Sequence, residues 1–546
     1  MAHDEGYYAQ QARWILETGD WVTPQWWGKP VYDRPIGIQW LMAVCYALFG
    51  ISEGSARFPS LIACLFSVFL TYNIGCKLLN QRIAWLGAAI LSVTPLWVEY
   101  GRLATQDSML VFLELLGIWA LLQAELRRRS RLYWGILAGS TLGLGFLIKG
   151  FMILLPPVAL LPYLISSHRR SQHLLNPGLY LGLFLGALPL IGWFAASWAN
   201  YGMQPFQQLV GKLFLLGSQG WYQAGPLYYL WNIPANAFPW PLFALIGMIL
   251  ILHNLSLKSL LGTASTQRLQ RSFSPVLGFR QVLSLSLLLG YPVVLFLELS
   301  LFKTRTPYYP LQLLPFMSLL AALALDWLVR IYSHRASASV GKLFLDRLPA
   351  IFSYTFGGLA GLLVVAAIAL MLISQFSLNI DISGGLVIDQ ELRKYSIIAL
   401  GLGLGWLSLP VLWLARYRWG DPGVTAGYWL AGWLLGPWLG LMVASLTGLY
   451  GDYSPDVKAF LRQPEVATVI QTHPIDFVVQ NSLHGDEHKT WVLLSFYTPQ
   501  LGEKLPQVSA LPRAEYAWVS PQSVVVPSSG YQPIATLQGW QLIQVR

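Results

Sequence analysis

What this chain lacks most is charge. Lys, Arg, Asp and Glu make up 11% of its 546 residues, where a soluble protein carries about a quarter. That scarcity, beside a hydrophobic share of 55%, excludes a water-soluble globule as the main body of the molecule. Cysteine is scarce as well. The three present, Cys45, Cys64 and Cys76, lie in or beside apolar stretches, which excludes a disulfide framework and fits buried packing. No nucleotide-binding signature, internal repeat or low-complexity tract stands out. The formal net charge of +10 is no sign of nucleic-acid binding, because the basic residues are parcelled out between apolar runs.

Those apolar runs are what the sequence has in abundance. About twelve are long enough to cross a hydrocarbon core: 58–76, 83–99, 108–124, 132–148, 150–166, 178–199, 228–252, 281–302, 308–329, 350–373, 396–415 and 424–449. Basic residues fall in alternate connections. They are Lys77 and Arg82; Arg127, Arg128, Arg129 and Arg131; Arg169 and Arg170; Lys258, Arg268, Arg271 and Arg280; Arg330, Arg335, Lys342 and Arg347; and Arg416 and Arg418. The excess of Lys and Arg in cytoplasmic loops puts all of these inside, and they agree on one topology. The intervening connections, the N-terminal segment and the C-terminal tail then lie outside. An outer N-terminal segment with no apolar run ahead of it implies a further membrane helix upstream of Met1 in the native gene.

Three regions follow. Residues 1–57 form a first outer segment that lies along the membrane rather than across it. Tyr8, Ala12, Ile15 and Leu16 recur at helical spacing and Gly19-Asp20 stops that helix. IGIQWLMAVCYALFG, at 36–50, is short for a span and suits an interfacial helix. Residues 58–450 form the bundle, with further outer segments at 200–227 and 374–395. From Asp452 the apolar runs shorten to strand length at 476–480, 491–497 and 540–545, around a Pro-interrupted helix at 456–473. Residues 451–546 are expected to form a small α/β domain outside the membrane. The fold class is thus an all-α polytopic membrane protein with a small C-terminal α/β extracytoplasmic domain.

With so few charges, their positions matter. Asp4, Glu5, Arg34, Arg57, Asp107, Lys149, Lys303 and Arg305 all map to the outer face, from segments far apart in sequence, whereas the middles of the spans read as nearly free of charge. A charge near the membrane is costly and is usually paired or functional. Each has a plainer role open to it. Asp4 and Asp107 can cap helices, Glu5 can face a helix dipole, and Arg57, Arg305 and Lys149 can anchor helix ends. Tyr228, Tyr229, Trp240, Tyr308 and Tyr309 can be an interfacial belt, and HGDEH at 484–488 holds two histidines four apart, a weak metal signal. Taken together, outer carboxylates beside several cations suit a reaction on an anionic, lipid-attached substrate. A carboxylate can deprotonate an attacking hydroxyl or amine while cations stabilise a departing phosphate.

The order DEGYYAQQARWILETGDWVTPQ, GKPVYDRPIGIQW, SARFPS, YGRLATQDSML, GFLIKG and SLFKTRTPYYP resembles the GT-C glycosyltransferases related to protein O-mannosyltransferases (glycosyltransferase family 39), in particular the bacterial branch with the lipid A aminoarabinose transferase. The resemblance covers most of residues 1–330. It implies a GT-C-like bundle and an inverting transfer of a monosaccharide from a polyprenyl-phosphate donor to a lipid, protein or glycan acceptor. The reaction would take place on the outer face of a bacterial inner membrane, with membrane lipids but no nucleic acid as partners. It also implies roles. Asp4 matches the essential acidic residue of the first outer loop, with Glu5 beside it, and Asp107 matches a second acidic position facing the same cavity. Arg34 stands where the aminoarabinose transferase has a phosphate-contacting Lys. Lys149 lies near the family's KG motif, Arg57 belongs to the RxPS motif, and Lys303 and Tyr308 flank the turn before a Pro-rich span. These would line the lipid-phosphate pocket. Tyr7 departs from the pattern, standing where the lipid A enzyme has an Arg near its phosphate site, which weakens the case that this chain shares that enzyme's substrates. No cofactor is required; a divalent cation near Asp4 and Asp107 is compatible with the scheme. Two rivals remain: a multi-pass lipid or solute transporter, and a catalytically inactive relative acting as a binding module.

Overall fold

A computed structural model describes residues 1–218, 225–260, 286–333, 343–377, 385–416, 422–480, 483, 485–512, 515–523 and 530–545. Arg268, Arg271, Arg280, Arg335, Lys342, Arg418 and His484 lie outside them, as do the side chains of Arg169, Arg170 and Lys258.

The chain opens with α1 (His3–Thr18), which stops at Gly19 in the left-handed conformation, φ 71°, as Gly at such a position allows. A two-residue hairpin of β1 (Gln25–Trp26) and β2 (Lys29–Pro30) leads into α2 (Gly37–Phe49). Helix α2 buries Ile38, Gln39, Met42, Ala43 and Tyr46 and exposes Leu41, Val44, Leu48 and Phe49. That is the division expected of a helix lying at an interface rather than crossing it.

The bundle follows: α3 (Glu53–Leu78), α4 (Gln81–Ser92), α5 (Pro95–Gly101), α6 (Asp107–Leu126) and α7 (Arg131–Lys149), then the later helices. Among the described residues, eight helices are long and apolar enough to cross a membrane, or up to ten if each bent pair is one span. That count takes 128–166 as one helical run. Contacts at its middle and near its end divide it. Lys149 pairs with Asp107 at the start of α6, while Tyr163 donates a hydrogen bond to Glu125 near the end of α6, 2.9 Å. The chain therefore turns back at Gly150, whose φ is +63°, and returns along the bundle. Helix α7 packs along Pro177–Tyr201 through facing glycines, Gly139 and Gly143 against Gly182 and Gly186, the small-residue seam that lets membrane helices approach closely.

The two ends of the bundle differ in charge. At one end Arg82 and Arg330 converge on Asp326, at 3.1 and 2.8 Å, and Arg131 lies beside Gln172 and Asn176. Of the basic residues assigned to the inside, Arg82, Arg131 and Arg330 lie here. Asp107, Lys149 and α1 lie at the other end. The interior is less free of charge than the sequence suggested. Glu114, 4% exposed in α6, accepts a hydrogen bond from Tyr291, and Glu298 stands on Tyr291–Leu301. Single carboxylates inside long apolar runs do not break a hydropathy signal, so the runs concealed them.

The C-terminal region holds a five-stranded sheet in the order β4-β3-β5-β7-β6. Its strands are β3 (Ile475–Val478), β4 (Leu501–Leu505), β5 (Tyr516–Val519), β6 (Tyr531–Leu537) and β7 (Trp540–Val545). Strand β3 runs parallel to β4 and β5, and the remaining pairs are antiparallel. The helix expected at 456–473 is split by Pro464 into Pro455–Leu461 and Pro464–Thr472. The strand expected at 491–497 is instead part of a helix, Gly485–Tyr497. Thr490 to Phe496 are all buried, and a short run buried on every side has no period to tell helix from strand. Two outer stretches read as connections also carry helix, in Gln204–Ser218 and Gly385–Trp406.

The C-terminal sheet and the first outer segment share one hydrophobic core. Tyr8, Ala12, Ile15, Met42 and Tyr46 from α1 and α2 join Phe477, Trp491, Leu494 and Trp540. Arg13 clasps the two, donating to the carbonyls of Thr498 and Pro499 at 2.8 and 2.5 Å. Gly6 lies so close to Val492 that an added Cβ would stand 2.9 Å from its methyl.

Candidate active site

The acidic pair that opens α1 is divided by its neighbours. Glu5 is fully buried. Its carboxylate accepts from the Ala2 amide at 2.7 Å, from Arg57 at 2.6 and 2.7 Å, and from the Ala104 amide at 2.9 Å. The first of these is half of a capping box, so Glu5 stabilises the start of α1. The N-cap is Ala2 and not Asp4, a correction to the capping role open to Asp4. Asp4 sits one position inside the helix with its side chain 50% exposed. His3 beside it, then Arg34 and Lys212, hold the carboxyl below its ordinary range against partial burial.

Arg34 comes from the turn between β2 and α2. It donates to the Tyr8 hydroxyl and lies over the Tyr8 ring, 4.7 Å from its centroid. Asp33 bridges two cations, with Arg34 and Lys212 each 3.7 Å away. Burial pushes the Tyr7 and Tyr8 phenols well above their ordinary range, so both are neutral hydrogen-bonding groups at physiological pH. Tyr8 feels the charges of Asp4, Asp33 and Asp107, which sets the three carboxylates around one region.

Asp107 is the first residue of α6, behind the N-cap Gln106, and pairs with Lys149 at the end of α7. Lys149 also faces the rings of Tyr308 and Tyr309, 5.8 and 5.3 Å from their centroids. These residues and Gln312 line one small cavity. Gly37 fixes its distance from Arg34. At this first residue of α2 an added Cβ would lie 2.6 Å from the Leu147 carbonyl oxygen, so the backbone of α2 touches α7 between the two cations.

The structure thus brings Asp4, Arg34, Asp107, Lys149 and Tyr308 to one end of the bundle. It sets others apart. Arg57 is taken up by Glu5 and by the Gly451 carbonyl, 2.9 Å away. Lys303 is exposed and is not among the residues lining the cavity. Tyr8, Lys212, Tyr309 and Gln312 complete the surroundings without having been singled out as site residues. The tyrosine doublets at 7–8 and 308–309 were the available signal; Gln312 left none, although its buried side-chain amide lacks a protein partner. Among the described residues no group of three or more His, Cys, Asp or Glu side chains is arranged to hold a metal ion. His488 bonds His3, with 2.9 Å between ring nitrogens.

Comparison with known proteins bears on the fold and on part of the sequence. Residues 33–195 match a family model described as dolichyl-phosphate-mannose-protein mannosyltransferase. A Pseudomonas aeruginosa undecaprenyl phosphate-alpha-4-amino-4-deoxy-L-arabinose arabinosyl transferase is 34% identical over 202 residues, 36% of either chain. Its Pectobacterium atrosepticum counterpart is 31% identical over 177 residues, 32% of either chain. The matched stretch thus spans about a third of the length of these curated relatives. The crystal structure of ArnT from Cupriavidus metallidurans bound to undecaprenyl phosphate superposes with a TM-score of 0.66 at 18% identity, covering 99% of this chain and 93% of that one. The chain therefore has the fold of that membrane protein, and part of it resembles the aminoarabinose transferases in sequence.

Proposed function

We propose that this chain is an inverting glycosyltransferase of the outer membrane face, moving a monosaccharide from a polyprenyl-phosphate donor to an acceptor hydroxyl or amine. The observation that carries the reading is the gathering of Asp4, Arg34 and the Asp107–Lys149 pair at one end of the bundle, from four separate segments. The acceptor attacks the anomeric carbon from the face opposite the phosphate. The bond from that carbon to the phosphate oxygen breaks, and its electron pair leaves with the polyprenyl phosphate. The acceptor's proton passes to the Asp4 carboxylate, which is ionised and half exposed. Arg34 and Lys149 hold the phosphate as its charge grows, and Tyr8 and Tyr308 orient it. Asp107 keeps Lys149 in place. Glu5 and Arg57 belong to the scaffold in this scheme.

The membrane is a bacterial inner membrane, with the site and the C-terminal region on its extracytoplasmic side. The relatives' names specify an undecaprenyl-phosphate aminoarabinose donor; for this chain the acceptor is a lipid, protein or glycan, and Tyr7 leaves the sugar open. A divalent cation near Asp4 and Asp107 is not needed, so turnover should survive chelation by EDTA.

Mass spectrometry of membrane lipids from cells expressing the wild type or Asp4→Asn tests the proposal. Build-up of one polyprenyl-monophosphate sugar in the variant supports it, and identical profiles with both proteins folded and abundant overturn it. The transporter reading has one observation in its favour, the carboxyl of Glu114 buried within the bundle, since such groups often mark ion pathways. It predicts that Glu114→Gln, and not Asp4→Asn, abolishes function.

A further inference from the structure

The C-terminal region reaches the candidate catalytic carboxylate through two histidines. His3 Nδ1 lies 3.6 Å from Asp4 Oδ1, and His3 Nε2 lies 2.9 Å from His488 Nδ1. His488 stands on the helix Gly485–Tyr497 and is held edge-on to Trp491, with ring centroids 5.7 Å apart at 90°. Trp26 tilts against its other side at 6.2 Å. The Asp4 side chain is 50% exposed and that of His3 32%, so the two histidines give the carboxylate a second proton exit beside direct exchange with water.

We propose that His3, oriented by His488, receives the acceptor's proton from Asp4 and passes it outward, resetting the carboxylate for the next turnover. This rests on the glycosyltransferase reading above. With Nε2–H of His3 donating to His488 Nδ1, the Nδ1 lone pair of His3 faces Asp4. Protonated Asp4 then gives its proton to His3 Nδ1 and returns to carboxylate. The imidazolium gives up its Nε2 proton to His488 Nδ1, and His488 releases its own Nε2 proton to water. Nδ1–H of His3 then donates to the Asp4 carboxylate and holds it ionised, until ring-proton exchange with water returns both imidazoles to their starting tautomers. No bond to the sugar is involved, and no charge is created or lost over the cycle. The charged groups facing this chain are Asp4 on α1, Arg34 and Asp33 on the turn before α2, and Lys212 on Gln204–Ser218. On the His488 helix, Asp486 is tied to Lys489 at 2.7 Å and Glu487 to Gln522 at 2.7 Å. Histidine suits the task because one ring nitrogen can take up a proton while the other gives one up.

The experiment uses the full chain in nanodiscs, with the donor lipid that accumulates in Asp4→Asn cells, and records kcat and KM from pH 5 to 9. The variants are Asp4→Asn, His3→Gln, His3→Ala and His488→Gln. Expected for His3→Gln is a fall in kcat of about tenfold with KM unchanged and a changed acidic limb. His488→Gln, which can keep a hydrogen bond to His3, shifts the same limb with a smaller loss. Added imidazole restores turnover to His3→Ala in a concentration-dependent way. An active Asp4→Asn, or no accumulated donor, overturns the glycosyltransferase reading and the relay with it. An inactive Asp4→Asn beside an unaltered His3→Gln profile overturns the relay alone. So does loss of activity in His3→Ala without imidazole rescue, which would leave the two histidines as a docking contact.

Discussion

Asp4 and Glu5 are neighbours in sequence and opposites in environment: Glu5 is fully buried with Arg57 at 2.6 Å, while half of the Asp4 side chain is exposed. One helical step of about 100 degrees turns Glu5 inward against Arg57 and the Ala104 amide and leaves Asp4 half exposed among His3, Arg34 and Lys212. A single turn of helix therefore supplies both an anchor and a candidate base.

The two acidic residues should separate in experiment. Glu5→Gln takes the closer carboxylate from Arg57, which is 17% exposed and keeps Glu53 at 3.6 Å, a loss of about 1.5–3 kcal/mol for a charge-assisted hydrogen bond, so thermal unfolding should show a clear drop. Asp4→Asn should leave the melting temperature nearly unchanged and lower turnover by about 10²–10⁴-fold. Parallel melting and lipid-product assays check both.

Arg34 should govern donor binding. Arg34→Ala removes a charge-assisted contact worth about 1.5–3 kcal/mol, expected as a rise in KM for the donor of about 10–100-fold by the usual conversion. Arg34→Lys keeps the charge but loses the planar fork over Tyr8 and should fall in between. Steady-state kinetics at varied donor concentration decide it.

Asp107 and Lys149 should behave as one unit. Each single change, Asp107→Asn or Lys149→Met, strips a charge from a close pair, so the double variant should lose less than the sum of the two. A coupling of about 0.5–3 kcal/mol is expected for groups in contact. A double-mutant cycle on turnover measures it, and additive losses would show that the two act separately.

The pH response of Asp4 follows from the sign of its shift. Its carboxyl is held below the ordinary range by His3, Arg34 and Lys212. Its contribution to stability is therefore present above the unfolded-state value, about 3.9, and is lost as pH falls through the lower folded value. Half exposure keeps that contribution small. Asp4 is thus ionised throughout the range from about pH 5 to 8, and its own titration should limit turnover only in stronger acid. Lys212→Gln should move that limb to higher pH, which a pH–rate profile extended below about pH 5 would reveal.

Much of the architecture was legible because membranes impose simple rules. Apolar runs had to span, basic residues had to gather at one end, and Arg82 and Arg330 do meet there on Asp326. Glu114 escaped notice because one carboxylate does not interrupt an apolar run; only the Tyr291 hydroxyl shows how it is accommodated. The strand expected at 491–497 failed for a related reason, since burial on every side erases the alternation that marks a half-buried strand.

By itself, the sequence determined the class of the molecule, the helices of residues 1–57 and a set of charges that the fold carries to the end of the bundle away from Arg82 and Arg330. Local pattern and the cost of burying charge in hydrocarbon are enough for that. Which charges were spent on the scaffold was decided only by tertiary structure. Glu5 meets Arg57 across 52 residues, Asp107 meets Lys149 across 42, and His3 meets His488 across 485. Hydrogen bonds act over a few ångströms between side chains whose separation along the chain carries no periodic signal, so their pairing exists only in the folded protein.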